Sequence, residues 1–189
     1  MMNKIPLNIP NILSLYRIFV FPVIVFSLIA QNSALFAWLI CISLITDILD
    51  GWIARTFNMQ TEIGAKLDSI ADMGTYIGAI SGVFVFKSAE IQPYLFSFYV
   101  FIGLFVFSHL LSLIKFGRFP SLHLYSWKIG GYIQGFFFFV LFVFDFSAPF
   151  YYIMVTWGIA SFLEHIIIQL IIKEMRSNAK GLYWVLKER

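Results

Sequence analysis

Four aspartates, Asp47, Asp50, Asp68 and Asp72, fall within 26 residues of an otherwise apolar stretch. A carboxylate in such surroundings is costly in lipid and marks a functional site by default. Four together resist joint ionisation, because each negative charge disfavours the next. A multivalent cation removes that conflict, and clustered carboxylate oxygens are the ligands of Mg²⁺ or Mn²⁺ rather than of zinc. Salt bridges to Arg55 or Lys66, or a proton relay, are the simpler alternatives, but two cations cannot neutralise four carboxylates. Gly51, Ala54 and Gly64 lie among the acids as small walls that let a bulky ligand approach the backbone. Arg55 adds a planar fork suited to phosphate. Two carboxylate-bound metals, small walls and an arginine point to a diphosphate substrate.

These residues must be positioned by membrane helices. The chain has 189 residues, 60% hydrophobic and only 12% charged, with mean hydropathy +0.86. A soluble domain carries about 25% charged residues, so a soluble globular domain and a disordered chain are both excluded. Apolar runs between turn signals define six segments, roughly Ile12–Ala30, Ala34–Arg55, Gly64–Phe86, Pro93–Ile114, Lys128–Phe144 and Pro149–Ile172. The expected fold is all-α, a single polytopic membrane domain over residues 1–189. Asp47 and Asp50 are three apart and Asp68 and Asp72 four apart, so each pair shares a helix face. At about 1.5 Å per residue, Asp47 and Asp72 lie roughly 12 Å from the ends that segments two and three share, and Asp50 and Asp68 lie roughly 6–8 Å from them. An antiparallel pair brings the four to matching depths.

Charge sets the orientation. Twelve of the thirteen Lys and Arg, from Lys4, Arg17 and Arg55 through Lys128 to Arg189, fall on the side of the N-terminus, the second and fourth loops and the C-terminal tail, and Lys87 is alone opposite. The positive-inside rule puts both termini and the acidic site at the cytoplasm. No segment reads as a cleaved signal peptide. Cys41, a single cysteine, excludes a disulfide framework. The 23 Phe read as lipid-facing or interhelical filler.

The run Asp47-Ile-Leu-Asp50-Gly51-Trp-Ile-Ala54-Arg55, eight further residues, then Gly64-Ala-Lys-Leu-Asp68-Ser-Ile-Ala-Asp72 fills every fixed position of D-x-x-D-G-x-x-A-R-x8-G-x-x-x-D-x-x-x-D. It resembles the signature of the CDP-alcohol phosphatidyltransferases. Asn8-Ile-Pro-Asn11-Ile-Leu-Ser14-Leu-Tyr-Arg17 is similar to that family's first helix. The resemblance implies a CDP-linked lipid, usually CDP-diacylglycerol, attacked by a hydroxyl acceptor with release of CMP. It implies two divalent ions, Mg²⁺ or Mn²⁺, on Asp47, Asp50, Asp68 and Asp72, with Asp72 also the general base. Gly51, Ala54, Arg55, Gly64 and Asn11 would line the CMP–diphosphate pocket. It also implies a homodimer in a bacterial inner membrane, with no nucleic-acid partner.

In size the chain resembles the small bacterial members, the phosphatidylglycerophosphate synthases, which points to glycerol 3-phosphate as acceptor. Its phosphate needs a second cationic site, for which Arg118 and Lys128 are the candidates, with Lys115 and His123 nearby. Ser126-Trp-Lys128-Ile-Gly130 matches in part the Gly-Lys-x-Lys-Thr stretch those enzymes carry after a comparable serine. Inositol phosphate, serine and phosphatidylglycerol stay open as acceptors. A divalent cation transporter is the rival from another class, but it needs acids along a whole path, and here they gather at one edge. His109 and the Glu164–His165 pair are expected to make interhelical hydrogen bonds. Gly74, Gly78 and Gly82 form a stripe facing away from the carboxylates, a packing seam toward another segment or a second subunit.

Overall fold

The computed structural model describes residues 8–117, 122, 124–174 and 179–187. The regular elements among them are all helical: α1 (Ile9–Ile29), α2 (Ser33–Thr56), α3 (Glu62–Phe86), α4 (Ser88–Ile91), a 3₁₀ turn (Gln92–Tyr94), α5 (Leu95–Phe116), α6 (Tyr125–Val143), α7 (Ala148–Ile171) and α8 (Leu182–Lys187). Six stretches are long and apolar enough to cross a membrane, as expected. Large apolar side chains cover the outside, among them Phe19, Trp38, Phe96 and Ile114, while Ser27, Ser43, Ser108 and Ser112 are buried. Buried serines beside an apolar core that includes Phe36, Phe98 and Phe101, with bulky apolar residues outside, suit a lipid solvent, where small residues allow close helix approach.

Capping residues set the helix ends that frame the acids. Asn8 accepts from the Asn11 backbone N–H at 3.0 Å, and Pro10 sits in the first turn, where its missing N–H is harmless. Helix α1 therefore begins at Ile9, a turn earlier than the apolar run suggests. Thr61 Oγ1 accepts from Gly64 N at 2.9 Å and starts α3. Helix α2 closes with Asn58 at φ 53 and a Met59 N–H bond to the Ala54 carbonyl at 3.0 Å. Asn8 Nδ2 donates to the Met59 carbonyl at 3.0 Å, tying the start of α1 to the α2–α3 turn.

The helices form two compact units. In the first, made of α1–α4 with Phe142–Phe144, α1 packs on both α2 and α3. The glycine stripe of α3 is where they meet. A Cβ on Gly74 would stand 3.3 Å from Phe21, and one on Gly78 3.1 Å from Ile24 and 3.5 Å from Ile40. At Gly82 the Phe36 ring fills the space a Cβ would need. The stripe thus serves contacts within the chain. The side chains that meet it, Phe21 and Ile24 of α1 and Ile40 and Phe36 of α2, are apolar, and none of the four acids is among them.

In the second unit, α5 packs on α7. The Phe101 ring lies over Gly158 and 5.3 Å from that of Phe162. Lys115 Nζ donates to the Gln169 and Leu170 carbonyls at 2.6 and 3.1 Å, closing the end of α7. Glu164 reaches other elements, accepting from the Ser126 hydroxyl and from Leu182 N at 2.8 Å. The two histidines depart from expectation. His109 Nδ1 bonds the Phe105 carbonyl of its own helix at 2.8 Å, and His165 meets Gln169, also on its own helix. Gln169 Nε2 does cross between helices, donating to the Ser108 carbonyl of α5 at 3.0 Å and adding to the Lys115 bonds.

Candidate active site

The four aspartates converge on one point in the first unit, and at that point stands Arg17, the last residue of the Asn8–Arg17 motif. Arg17 of α1 is 2% exposed. Its Nη1 donates to Asp47 Oδ1 at 2.7 Å and Asp72 Oδ1 at 2.6 Å. Its Nη2 donates to Asp50 Oδ2 at 2.6 Å and Asp68 Oδ1 at 2.7 Å. Each amino group therefore joins one carboxylate of α2 to one of α3. The pairing, Asp47 with Asp72 and Asp50 with Asp68, is the one that antiparallel helices at matched depth require. Salt bridges of the kind the alternative reading expects exist, and Arg17 makes four of them.

The acids differ in access. The Asp50 side chain is 4% exposed, whereas Asp72 is 50% exposed and open to an incoming group. Ser14 Oγ lies 3.3 Å from Asp50 Oδ2 and 3.2 Å from the Pro10 carbonyl, and its one proton serves either. Asp47, Asp50 and Asp68 can each offer an oxygen within 4.8 Å of the other two, which suits a metal ion; Asp72 stands outside that trio. The charges do not cancel: four carboxylates and one guanidinium leave −3. An all-oxygen donor set with unbalanced negative charge fits hard divalent cations.

The small residues and the other polar groups are arranged around this point. A Cβ on Gly51 would stand 3.1 Å from Arg55 Nη1, so the guanidinium folds back over the bare backbone one turn away. Asn11 Oδ1 occupies the space a Cβ on Gly64 would take, and Asn11 Nδ2 donates to Thr61 Oγ1 at 3.4 Å. Asn11 and Gly64 are thus in contact. Ala54 lies on α2 one turn past Gly51 and its carbonyl closes that helix. In the second unit, Lys128 is exposed and holds its Nζ 5.7 Å from the Tyr125 ring centre. Lys115 is occupied with the end of α7. Arg118 and His123 lie outside the described residues. Ser14 and Arg17 were missed as site residues; the signal for Arg17 was a charge inside an apolar helix, the same one that singled out the aspartates.

Comparison with known proteins agrees with the signature. The family model for CDP-alcohol phosphatidyltransferase matches residues 7–165. The chain belongs to that family. Among the phosphatidyltransferases it is similar to proteins named CDP-diacylglycerol--glycerol-3-phosphate 3-phosphatidyltransferase. That of Rickettsia felis is 43% identical over 72 residues, 36% of this chain and 40% of the relative. That of Aquifex aeolicus is 33% identical over 91 residues, 48% and 51% of the two chains. That of Salmonella typhimurium is 44% identical over 68 residues, 34% and 37%. The chain thus spans about half the length of these curated relatives or less. No solved structure matches.

Proposed function

We propose that this phosphatidyltransferase moves the phosphatidyl group of CDP-diacylglycerol to glycerol 3-phosphate and releases CMP. The observation that carries the reading is the convergence of Asp47, Asp50, Asp68 and Asp72 on one point between α1, α2 and α3. The acceptor is supported by the names of the relatives.

Two divalent ions, Mg²⁺ or Mn²⁺, would supply neutralisation of the diphosphate and of the charge that develops on departing CMP. Asp47, Asp50 and Asp68, the three that approach within 4.8 Å, are the residues to hold them, with Asp72 at the edge of the set. Asp72 is half exposed. It takes the proton of the acceptor hydroxyl as that oxygen bonds to the phosphorus bearing the diacylglycerol and the bond from that phosphorus to the CMP oxygen breaks. Gly51 and Gly64 let the nucleotide's phosphates approach backbone, Asn11 and Ala54 shape that wall, and Arg55 offers its guanidinium to phosphate. For the acceptor's own phosphate we assign Arg118 and Lys128.

The reading extends to the setting: a homodimer in a bacterial inner membrane, with the acids facing the cytoplasm and the acyl chains left in lipid. The test is an acceptor panel. Purified protein receives CDP-diacylglycerol, Mn²⁺ or Mg²⁺, and in turn glycerol 3-phosphate, inositol phosphate, serine and phosphatidylglycerol. CMP is expected with glycerol 3-phosphate. Release with one of the others alone would reassign the acceptor, and release with none would overturn the reading.

A further inference from the structure

The position of Arg17 carries more than a fold contact. A guanidinium usually meets one carboxylate through a fork of two parallel N–H bonds. Arg17 instead spreads four bonds over four carboxylates, two from each terminal nitrogen, at 2.6–2.7 Å. Its Nε, buried with them, has no hydrogen-bond partner. Buried donors are rarely left unmet in a contact built to be permanent. The side chain is placed as a hub at the focus of the carboxylate oxygens, and its own geometry is left incomplete.

That focus is where the reading above puts metal. Asp47, Asp50 and Asp68, the trio suited to an ion, each give Arg17 an oxygen. A divalent ion would bond such oxygens at about 2.0–2.6 Å. A guanidinium on the same oxygens would stand within a few ångströms of it, and at that range like charges repel strongly even at intermediate dielectric. The charge count agrees. Without metal, Arg17 brings the site from −4 to −3; two divalent ions bring it to zero unaided.

We infer that Arg17 is an internal counter-ion that holds the four carboxylates together in the metal-free protein and competes with the divalent ions for them. Metal loading then requires the guanidinium to release the oxygens of Asp47, Asp50 and Asp68. The inference rests on the metal-site reading above, and extends it to a residue that no ligand set needs to contain.

The test compares full-length wild type, Arg17→Gln and Arg17→Lys, stripped with chelator in detergent. Mn²⁺ binding is followed by electron paramagnetic resonance of the free ion, and thermal midpoints are taken in chelator. An Asp68→Asn variant shows which binding belongs to the cage. Arg17→Gln is expected to bind Mn²⁺ about tenfold more tightly or better and to melt lower in chelator. Arg17→Lys keeps the charge but has one nitrogen, which cannot span both pairs, so it should fall between wild type and Arg17→Gln. If Arg17→Gln does not fold, tighter binding by Arg17→Lys than by wild type supports the inference and equal or weaker binding overturns it. Unchanged or weaker binding by a folded Arg17→Gln overturns it while leaving the metal site intact. Absence of cage-dependent Mn²⁺ binding in wild type overturns the metal reading, and this inference with it.

Discussion

At the scale of single residues, access separates the four carboxylates. Asp50 is enclosed beneath Ser14 and Arg17, whereas half of the Asp72 side chain can be reached from outside the protein. The enclosed acid is suited to holding charge and the open one to taking a proton from an arriving hydroxyl. Asn at position 72 keeps the size of the side chain and an oxygen that can accept from Arg17, so folding should survive. Asp72→Asn is expected to abolish CMP release while its thermal midpoint stays within a few degrees of wild type, about 1 kcal/mol or less for a partly exposed position. Full turnover in the purified variant would remove Asp72 as the base.

The elements show how much a sequence can state of its own fold. Six spans were legible because each needs an unbroken apolar run, and short polar breaks separate the runs here. The pairing of the acids was legible because helix rise alone matches Asp47 to Asp72 and Asp50 to Asp68. What stayed hidden depended on contacts between helices. The apolar run starts at Ile12, but Pro10 fits the first turn of α1, so the helix starts at Ile9 and Arg17 sits about 12 Å in, level with the deeper acids. The partner of the glycine stripe was equally invisible, since periodicity gives a face but not what covers it. Phe36 covers Gly82, packed in turn against Phe86 at 5.1 Å. Gly82→Ala gains about 1 kcal/mol of helix propensity but overpacks against that ring, which costs about 1–3 kcal/mol. The variant is expected to melt lower, and Phe36→Leu to restore most of the loss when combined with it, as contacting pairs do. A Gly82→Ala protein as stable as wild type, or additive behaviour of the two, would show that the close contact does not limit stability.

At the scale of the whole molecule, the uneven distribution of basic residues should fix its orientation in a bilayer. The loop assignment made from the sequence gives twelve of thirteen Lys and Arg to one side and Lys87 to the other. A fluorescent protein fused after Arg189 should mature in the cytoplasm, while a phosphatase active only outside should work when inserted beside Lys87 and be silent at the C-terminus. The reverse pattern would turn the acids to the wrong face for a nucleotide-linked substrate. A homodimer, if it forms as proposed, must use a face other than the Gly74–Gly82 stripe, which α1 and α2 already cover. In the proposed reaction, a carboxylate cage of α2 and α3 lets a CDP-linked lipid be split at the membrane. The most direct measurement is CMP release from CDP-diacylglycerol and glycerol 3-phosphate by chelator-stripped protein, titrated with Mn²⁺ or Mg²⁺, beside Asp68→Asn. Turnover is predicted to be absent without metal, to return with it in wild type, and to stay absent in Asp68→Asn at the same metal concentration; undiminished turnover in excess chelator would contradict the account.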